Sequence, residues 1–477
     1  MDAKQEIEKL IETKKQEFID VSNEVWEACE TRFALKESVK SFYKVLEKED
    51  FSIDKGIANM DYSFVATYGS GKPVIGILAE YDSLGNLSQV ADCGDKRPLV
   101  KGGNGHGCGH NLLGTGALAG AVGIKDYMKA HNLKGTIKLF GCPAEESGYG
   151  KAFMVRDGVF DCLDIALAWH PADISSVTGA SSLAVYQAYF NFKGVAAHAS
   201  AAPEQGRSAL DAAELMNIGV QFLREHIVDS ARIHYAFLDA GGESANVVQP
   251  TASLFYFVRA KTLDQARNIF RRVENVARGA AMMTGTDLDI DIDCACANYV
   301  PNKVLSIMMD ENLRNFGSLN LTKEDLEYEK RYFDPLSDAV KEAIYNRTKA
   351  AFSDLSEEEI RKIADSPVTD KIFPLVFSDD APASTDVGDV SWVAPTAQIN
   401  VACEPQGTPP HSWQWVANGK SDVAHKGMLA AGKTIATTAY DVLTNPNLVE
   451  KAKAEHKEML GGKKFVSGIP TDVMPHQ

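Results

Sequence analysis

A thiol set between two imidazoles in a run of glycines, GHGCGHN over residues 105–111, suits neither a packed core nor an ordinary surface loop. Further groups able to bind metal or move protons stand at isolated points: Glu145 and Glu146 in CPAEES, His170 in ALAWHP and His411 in PPHSW. Imidazole, thiolate and carboxylate together suit zinc or a similar divalent transition ion, whereas carboxylates alone would suit magnesium or calcium. Cys108, His110, Glu146, His170 and His411 offer more donors than one four-coordinate ion with an open position needs. The simplest reading is two divalent metal ions sharing a ligand, at the ~3.5–4 Å separation of hydrolytic pairs. Zinc is the first choice, with manganese and cobalt as alternatives. Glu145, beside a ligand, is then free to take a proton from the attacking water. Each residue also has an ordinary reading, as a core histidine, a solvated strand end or a small buried thiol. Only convergence on one point makes them a site.

Convergence requires a scaffold, and the flanking sequence supplies one. YSFVATYG and PVIGILAEYD read as strands either side of a GSGKP turn, and NLLGTGALAGAVGIKDYMKAH reads as a small-residue helix leaving the glycine loop. GTIKLFGCPAEE reads as a strand ending in two carboxylates, DIALAWHP as one ending at His170, and TAQINVACE as a core strand before His411. Residues 5–48 show helical spacing, at Ile7, Leu10, Ile11, Phe18 and Val21 and again at Val39, Phe42 and Val45, with a break near ETRFAL. Alternating strand and helix predicts a layered α/β domain with a mixed sheet and helices on both faces. In such sheets ligands bind at the carboxyl ends of strands, where the candidate residues fall.

The pattern changes at residue 184. LAVYQAYFNFKG alternates, ALDAAELMNIGVQFLREHI is an amphipathic helix, ARIHYAFLDAG and TASLFYFVRA are strands, and a second helix and a last strand, DLDIDIDCACANYV, follow. This is a β-α-β-β-α-β, ferredoxin-like α+β unit over 184–298, inserted between residues 1–183 and 299–477 of the larger domain. Charged helical segments beyond Pro301, including SEEEIRKIADS, read as an insertion around the rim, and HKGMLAAGKTIATTAYDVL as a final helix.

Composition removes several function classes. A formal charge of −16 opposes binding to nucleic acid. No apolar run is long enough to cross a membrane, and the charged N-terminal stretch lacks the apolar segment of a secretory signal, so the expected compartment is the cytoplasm. The eight cysteines are scattered without paired spacing, which argues against a disulfide framework.

Several stretches resemble the M20 metallopeptidases, in the branch that holds amidohydrolases, aminoacylase-like enzymes and the subunits of aminobenzoyl-glutamate hydrolase. They are GHGCGHNLLGTGALAGA, GCPAEESGYGKAFMVRDGVFD, WHP, GVAAHASAAPEQGRSALDAAELM, SANVVQP, STDVGDVSW and PPHSW, which span most of the chain. GHGCGHNLLG and GRSALDAAELM are most similar to the group formed by the B subunits of that hydrolase. The resemblance implies a hydrolase of linear amides in small N-acyl or N-aroyl amino acids or dipeptides. Cys108, His110, Glu146, His170 and His411 match the metal ligands, Glu145 the general base, and Asp82 a strand-end carboxylate that orients a ligand. Residues 184–298 match a dimerisation or lid domain, in which His198 corresponds to a histidine reaching into the partner's active site, and Asn246 and Arg259 to substrate contacts. A homodimer is expected, with a heteromer of related subunits as the alternative. Two departures stand out: Asn111 where many members carry Asp, and Glu80 where other branches carry a metal-binding His, so Glu80 is not assigned as a ligand. The rival functions are a dipeptidase or exopeptidase, which differs only in the acyl pocket, and a non-catalytic partner subunit. The complete ligand set with Glu145 argues against the latter.

Overall fold

Helical spacing of apolar residues buries one side of each N-terminal helix: Ile7 and Ile11 on α1 (Ala3–Thr13), Phe18, Val21 and Val25 on α2 (Lys15–Ala28), and Val39, Phe42 and Leu46 on α3 (Lys36–Lys48). The computed structural model describes residues 2–378 and 383–476. After α3 come β1 (Ser52–Lys55), β2 (Phe64–Ser70) and β3 (Val74–Glu80), then α4 (His110–His131), β4 (Gly135–Cys142), α5 (Gly150–Arg156), β5 (Ile165–Ala172) and the short β6 (Ser176–Val177). The inserted unit comprises β7 (Ala184–Lys193), α6 (Ala209–Arg224), β8 (Arg232–Asp239), β9 (Thr251–Ala260), α7 (Leu263–Thr284) and β10 (Asp287–Cys296). The chain then returns through α8 (Lys303–Phe316), α9 (Lys323–Phe333), α10 (Asp338–Ala351), α11 (Glu357–Ala364), α12 (Val387–Val393) and β11 (Thr396–Ala402) to α13 (Trp413–Asn418), α14 (Asp422–Thr444) and α15 (Pro446–Met459).

Among the described residues the large sheet has seven strands in the order β1-β2-β4-β3-β5-β11-β6. The neighbours β4, β3, β5 and β11 run parallel, so their carboxyl ends share one edge, while β1, β2 and β6 pair antiparallel at the flanks. Alternate residues point to opposite faces, which splits the core in two. Ile77, Leu139, Leu167 and Trp169 pack with α4, α8 and α14, while Leu78, Phe140, Ala166 and Ala168 pack on the face that carries α5 and α12. That second core continues into the inserted unit, whose antiparallel sheet is ordered β10-β7-β9-β8, as the ferredoxin-like pattern requires.

The glycines of α4 serve close approach. A Cβ on Gly114 would lie 2.5 Å from the Glu80 carbonyl oxygen, and one on Gly120 would lie 2.8 Å from Ile435 of α14. Only a bare backbone lets α4 lie against the end of β3 and against α14 together.

One expectation needs correction. Residues beyond Pro301 do not all lie on the rim, because α8 buries Leu305, Met308, Met309 and Leu313 in the main core. The rim is formed later, where Phe333, Ile344, Tyr345, Ile360 and Ala364 of α9–α11 make a small core of their own.

Candidate active site and metal centre

The shared edge of the parallel strands gathers the sequence candidates. Glu80 is the last residue of β3, and His170 lies near the end of β5. The strand expected to end in Glu145 and Glu146 stops earlier, at Cys142. Pro143 and a left-handed Ala144 (φ 60°) then turn the two carboxylates across the strand end. Gly109 has φ 73° and caps α4, so the chain turns between Cys108 and His110 and both side chains serve one crevice. His411 also has a left-handed backbone, φ 56°, which costs roughly 1–2 kcal/mol outside glycine. Its N–H donates to the Gly107 carbonyl at 2.9 Å, tying this late loop to the glycine loop.

Three sets of potential ligand atoms arise, each with members within 4.8 Å of one another: Cys108, His110 and His170; Cys108, Glu146 and His411; and Glu80, His110 and Glu145. The first two overlap at Cys108. Its Sγ lies 3.4 Å from His170 Nε2, and His411 Nε2 lies 3.4 Å from Glu146 Oε2. His170 Nδ1 donates to the Pro171 carbonyl at 2.6 Å, which leaves the Nε2 lone pair facing the thiol. Asp82 holds two partners at once, accepting from His110 Nδ1 and from the Glu146 backbone N–H, each at 3.0 Å. A carboxylate in this position fixes the proton of His110 on Nδ1.

A cation fits these residues. With Nδ1–H given to Asp82, His110 Nε2 presents a lone pair, 3.3 Å from Glu80 Oε2 and 3.9 Å from Glu146 Oε1. Among the described residues, all three atoms are buried without a hydrogen-bond partner. Acceptors facing acceptors in a buried site are costly unless a nearby cation or added protons offset them. The residues themselves compensate with protons. Burial lowers the proton affinity of His110, but Asp82 and Cys108 outweigh it and raise the imidazole well above its ordinary value. Burial, and then the charges of Glu80, Asp386 and Glu146, push Glu145 well up. Burial and Glu146 push the Cys108 thiol up as well, so that it becomes a thiolate only against a cation. His170, lowered to about 4 chiefly by burial, is neutral and able to ligate.

Charge pairing around Glu80 was not visible in the sequence. Lys151, on α5, reaches Glu80 Oε1 at 2.6 Å and Asp386 Oδ1 at 2.5 Å. The three residues come from distant segments, and nothing in the local sequence signals the contact. Asn111 lies apart from this chemistry, since its amide nitrogen donates to Ser22 Oγ at 3.1 Å and to the Gly419 carbonyl at 3.0 Å, tying α4 to α2 and to the turn before α14.

The three residues expected from the inserted unit do not join the cluster. His198 is exposed, and its Nδ1 accepts from the N–H groups of Ser200 and Ala201 at 3.3 and 3.2 Å. Its loop pairs with that of Asn246, through His198 opposite Val247 and the Ala199 N–H on the Asn246 carbonyl at 2.9 Å. Arg259, on β9, links β8 to the segment before α12, with its guanidinium donating to Ser384 Oγ at 2.7 Å and to His234 Nε2 at 3.2 Å.

A crevice that gathers potential cation ligands beside a buried carboxylate can bind a divalent ion and set a base next to it. The Peptidase family M20/M25/M40 model matches residues 80–474, and the chain belongs to this family, as a peptidase or amidohydrolase. It is 40% identical over 470 residues to the B subunit of p-aminobenzoyl-glutamate hydrolase from Escherichia coli (strain K12), covering 98% of each chain. Its fold matches an aminobenzoyl-glutamate utilization protein from Klebsiella pneumoniae, with a TM-score of 0.61 at 17% identity over 92% of this chain and 98% of that one. It also matches a dinuclear metal-binding M20 peptidase from Bacillus subtilis, with a TM-score of 0.51 at 16% identity over 89% of this chain and 99% of that one. Among the described residues no helix is long and apolar enough to cross a membrane.

Proposed function

We propose that the chain hydrolyses the amide bond of small N-acyl or N-aroyl amino acids such as aminobenzoyl-glutamate, using a dinuclear metal site. Cys108, His110, Glu146, His170 and His411 would hold the two ions. The observation that carries this reading is the overlap of two ligand sets at Cys108, beside buried acceptors that have no donor between them. When bound, the ions polarise the scissile carbonyl and lower the pKa of the attacking water. Glu145 would act as the general base toward the attacking water and return the proton to the leaving nitrogen. Asp82 keeps His110 in its ligating tautomer and fixes the Glu146 backbone. An α-carboxylate on the substrate needs a fixed cation, which Arg259, held by Ser384, supplies. A screen of N-acyl amino acids, aminobenzoyl-glutamate and dipeptides with Zn²⁺, Mn²⁺ or Co²⁺ tests this reading. Cleavage of dipeptides alone would move the assignment to a dipeptidase, and no cleavage at all would move it to a partner subunit.

Cys108 as a ligand has its own consequence. Zinc-loaded protein should resist alkylation at Cys108, and chelation should expose the thiol, with peptide mass mapping as the readout. Equal rates with and without zinc would remove Cys108 from the ligand set.

We place residues 1–183 and 299–477 in the catalytic domain and residues 184–298 in a dimerisation and lid domain. Among the described residues, β8 at the edge of the inserted sheet leaves one side unpaired and exposes Tyr235, Phe237 and Leu238. Such an edge needs cover, and a second copy of the chain supplies it in a homodimer. The Escherichia coli relative is one of the subunits of its enzyme, so a related chain is the alternative occupant. Sedimentation should give a dimer at micromolar concentration, and a monomer throughout that range would contradict the assignment.

A further inference from the structure

Lys151 has no solvent exposure, and its ammonium is held between Glu80 Oε1 and Asp386 Oδ1. Its backbone N–H also donates to Asp386 Oδ2 at 2.9 Å, so position and charge are fixed together. The other oxygen of Glu80 lies 3.3 Å from His110 Nε2, within the group formed by Glu80, His110 and Glu145. Glu80 is thus a carboxylate within ligand range that is tethered by one oxygen to a lysine.

A hydrolytic metal site must keep a coordination position open for water and substrate, and a further carboxylate on the ion would fill it. An ammonium buried next to dications is unfavourable on its own account, and it is stable here because two carboxylates flank it. We propose that Lys151 is a positioning residue that keeps Glu80 out of the metal coordination sphere and so keeps the site open. The inference rests on the dinuclear reading above. Removing the ammonium leaves Glu80 with a dication as its nearest counter-charge, so the metal gains a ligand while the reaction loses a coordination position.

Lys151→Met removes the charge at similar length. Zn²⁺ affinity, measured by chelator competition on the full chain, should tighten by about 10–100-fold, the range over which groups around the ligands alter metal binding. Lys151→Met/Glu80→Gln should return affinity to the wild-type value, and Lys151→Arg should leave it there. Unchanged or weakened affinity in Lys151→Met, or tightening that persists in the double variant, would overturn the proposal. If Lys151→Met does not fold, Glu80→Gln in the wild-type background carries the test. Affinity equal to wild type is expected, and a tenfold loss would mean that Glu80 is already a ligand and would overturn the proposal. Wild-type protein that takes up no Zn²⁺ would overturn the dinuclear reading first, and this inference with it.

Discussion

Glu145→Gln should lower turnover by at least about 10²–10⁴-fold, the contribution of one general acid–base group, while metal content stays at the wild-type level. An amide keeps the shape of the side chain and cannot accept a proton. Metal content is preserved because Glu145 is outside the two ligand sets that share Cys108. The placement of Glu145 also fits the role. Burial, and then the carboxylates of Glu80 and Asp386, raise its proton affinity, which makes it a stronger base than an exposed glutamate. Steady-state kinetics with metal analysis on one preparation checks both halves of the expectation. Activity near wild type would move the base elsewhere, whereas parallel loss of metal and activity would make Glu145 a ligand.

His198→Ala should lower kcat by roughly 10²–10³-fold, as when one oxyanion donor is lost, with a much smaller change in KM. Because Nδ1 accepts from Ser200 and Ala201, the neutral ring carries its proton on Nε2 and is ready to donate. Among the described residues it makes no hydrogen bond to the cluster of its own chain, and it shares a paired loop with Asn246. Both features suit a histidine presented to a partner. Mixing His198→Ala with Glu145→Gln subunits should therefore restore activity, since each heterodimer would contain one site with Glu145 from one chain and His198 from the other. Verified heterodimers without recovered activity would confine His198 to its own subunit or remove it from catalysis.

The candidate ligands were legible in the sequence because Glu146, His170 and His411 follow or end strands, which a parallel sheet collects at one edge, and Cys108 and His110 stand in a glycine loop that opens a helix. The inserted unit was legible for a related reason, since its strands alternate and its helices carry one apolar face. Other features had no local signature. The core face of α8, with Leu305, Met309 and Leu313, was obscured by the charged helices that follow it. The left-handed backbone of His411 depends on the Gly107 carbonyl, which belongs to a distant loop. The contacts of Lys151 with Glu80 and Asp386 exist only once α5 and the start of α12 are packed together. Periodicity reports which face of an element is buried, and it does not report which charge will be found opposite.

The central claim is that bound divalent metal and Glu145 together hydrolyse a small N-acyl amino acid. The direct measurement is hydrolysis of aminobenzoyl-glutamate by protein stripped with a chelator and then titrated with Zn²⁺ or Mn²⁺. The account predicts no turnover in the stripped protein and recovery that saturates at two ions per chain. Full turnover without metal, or saturation with activity at a single ion, would contradict it.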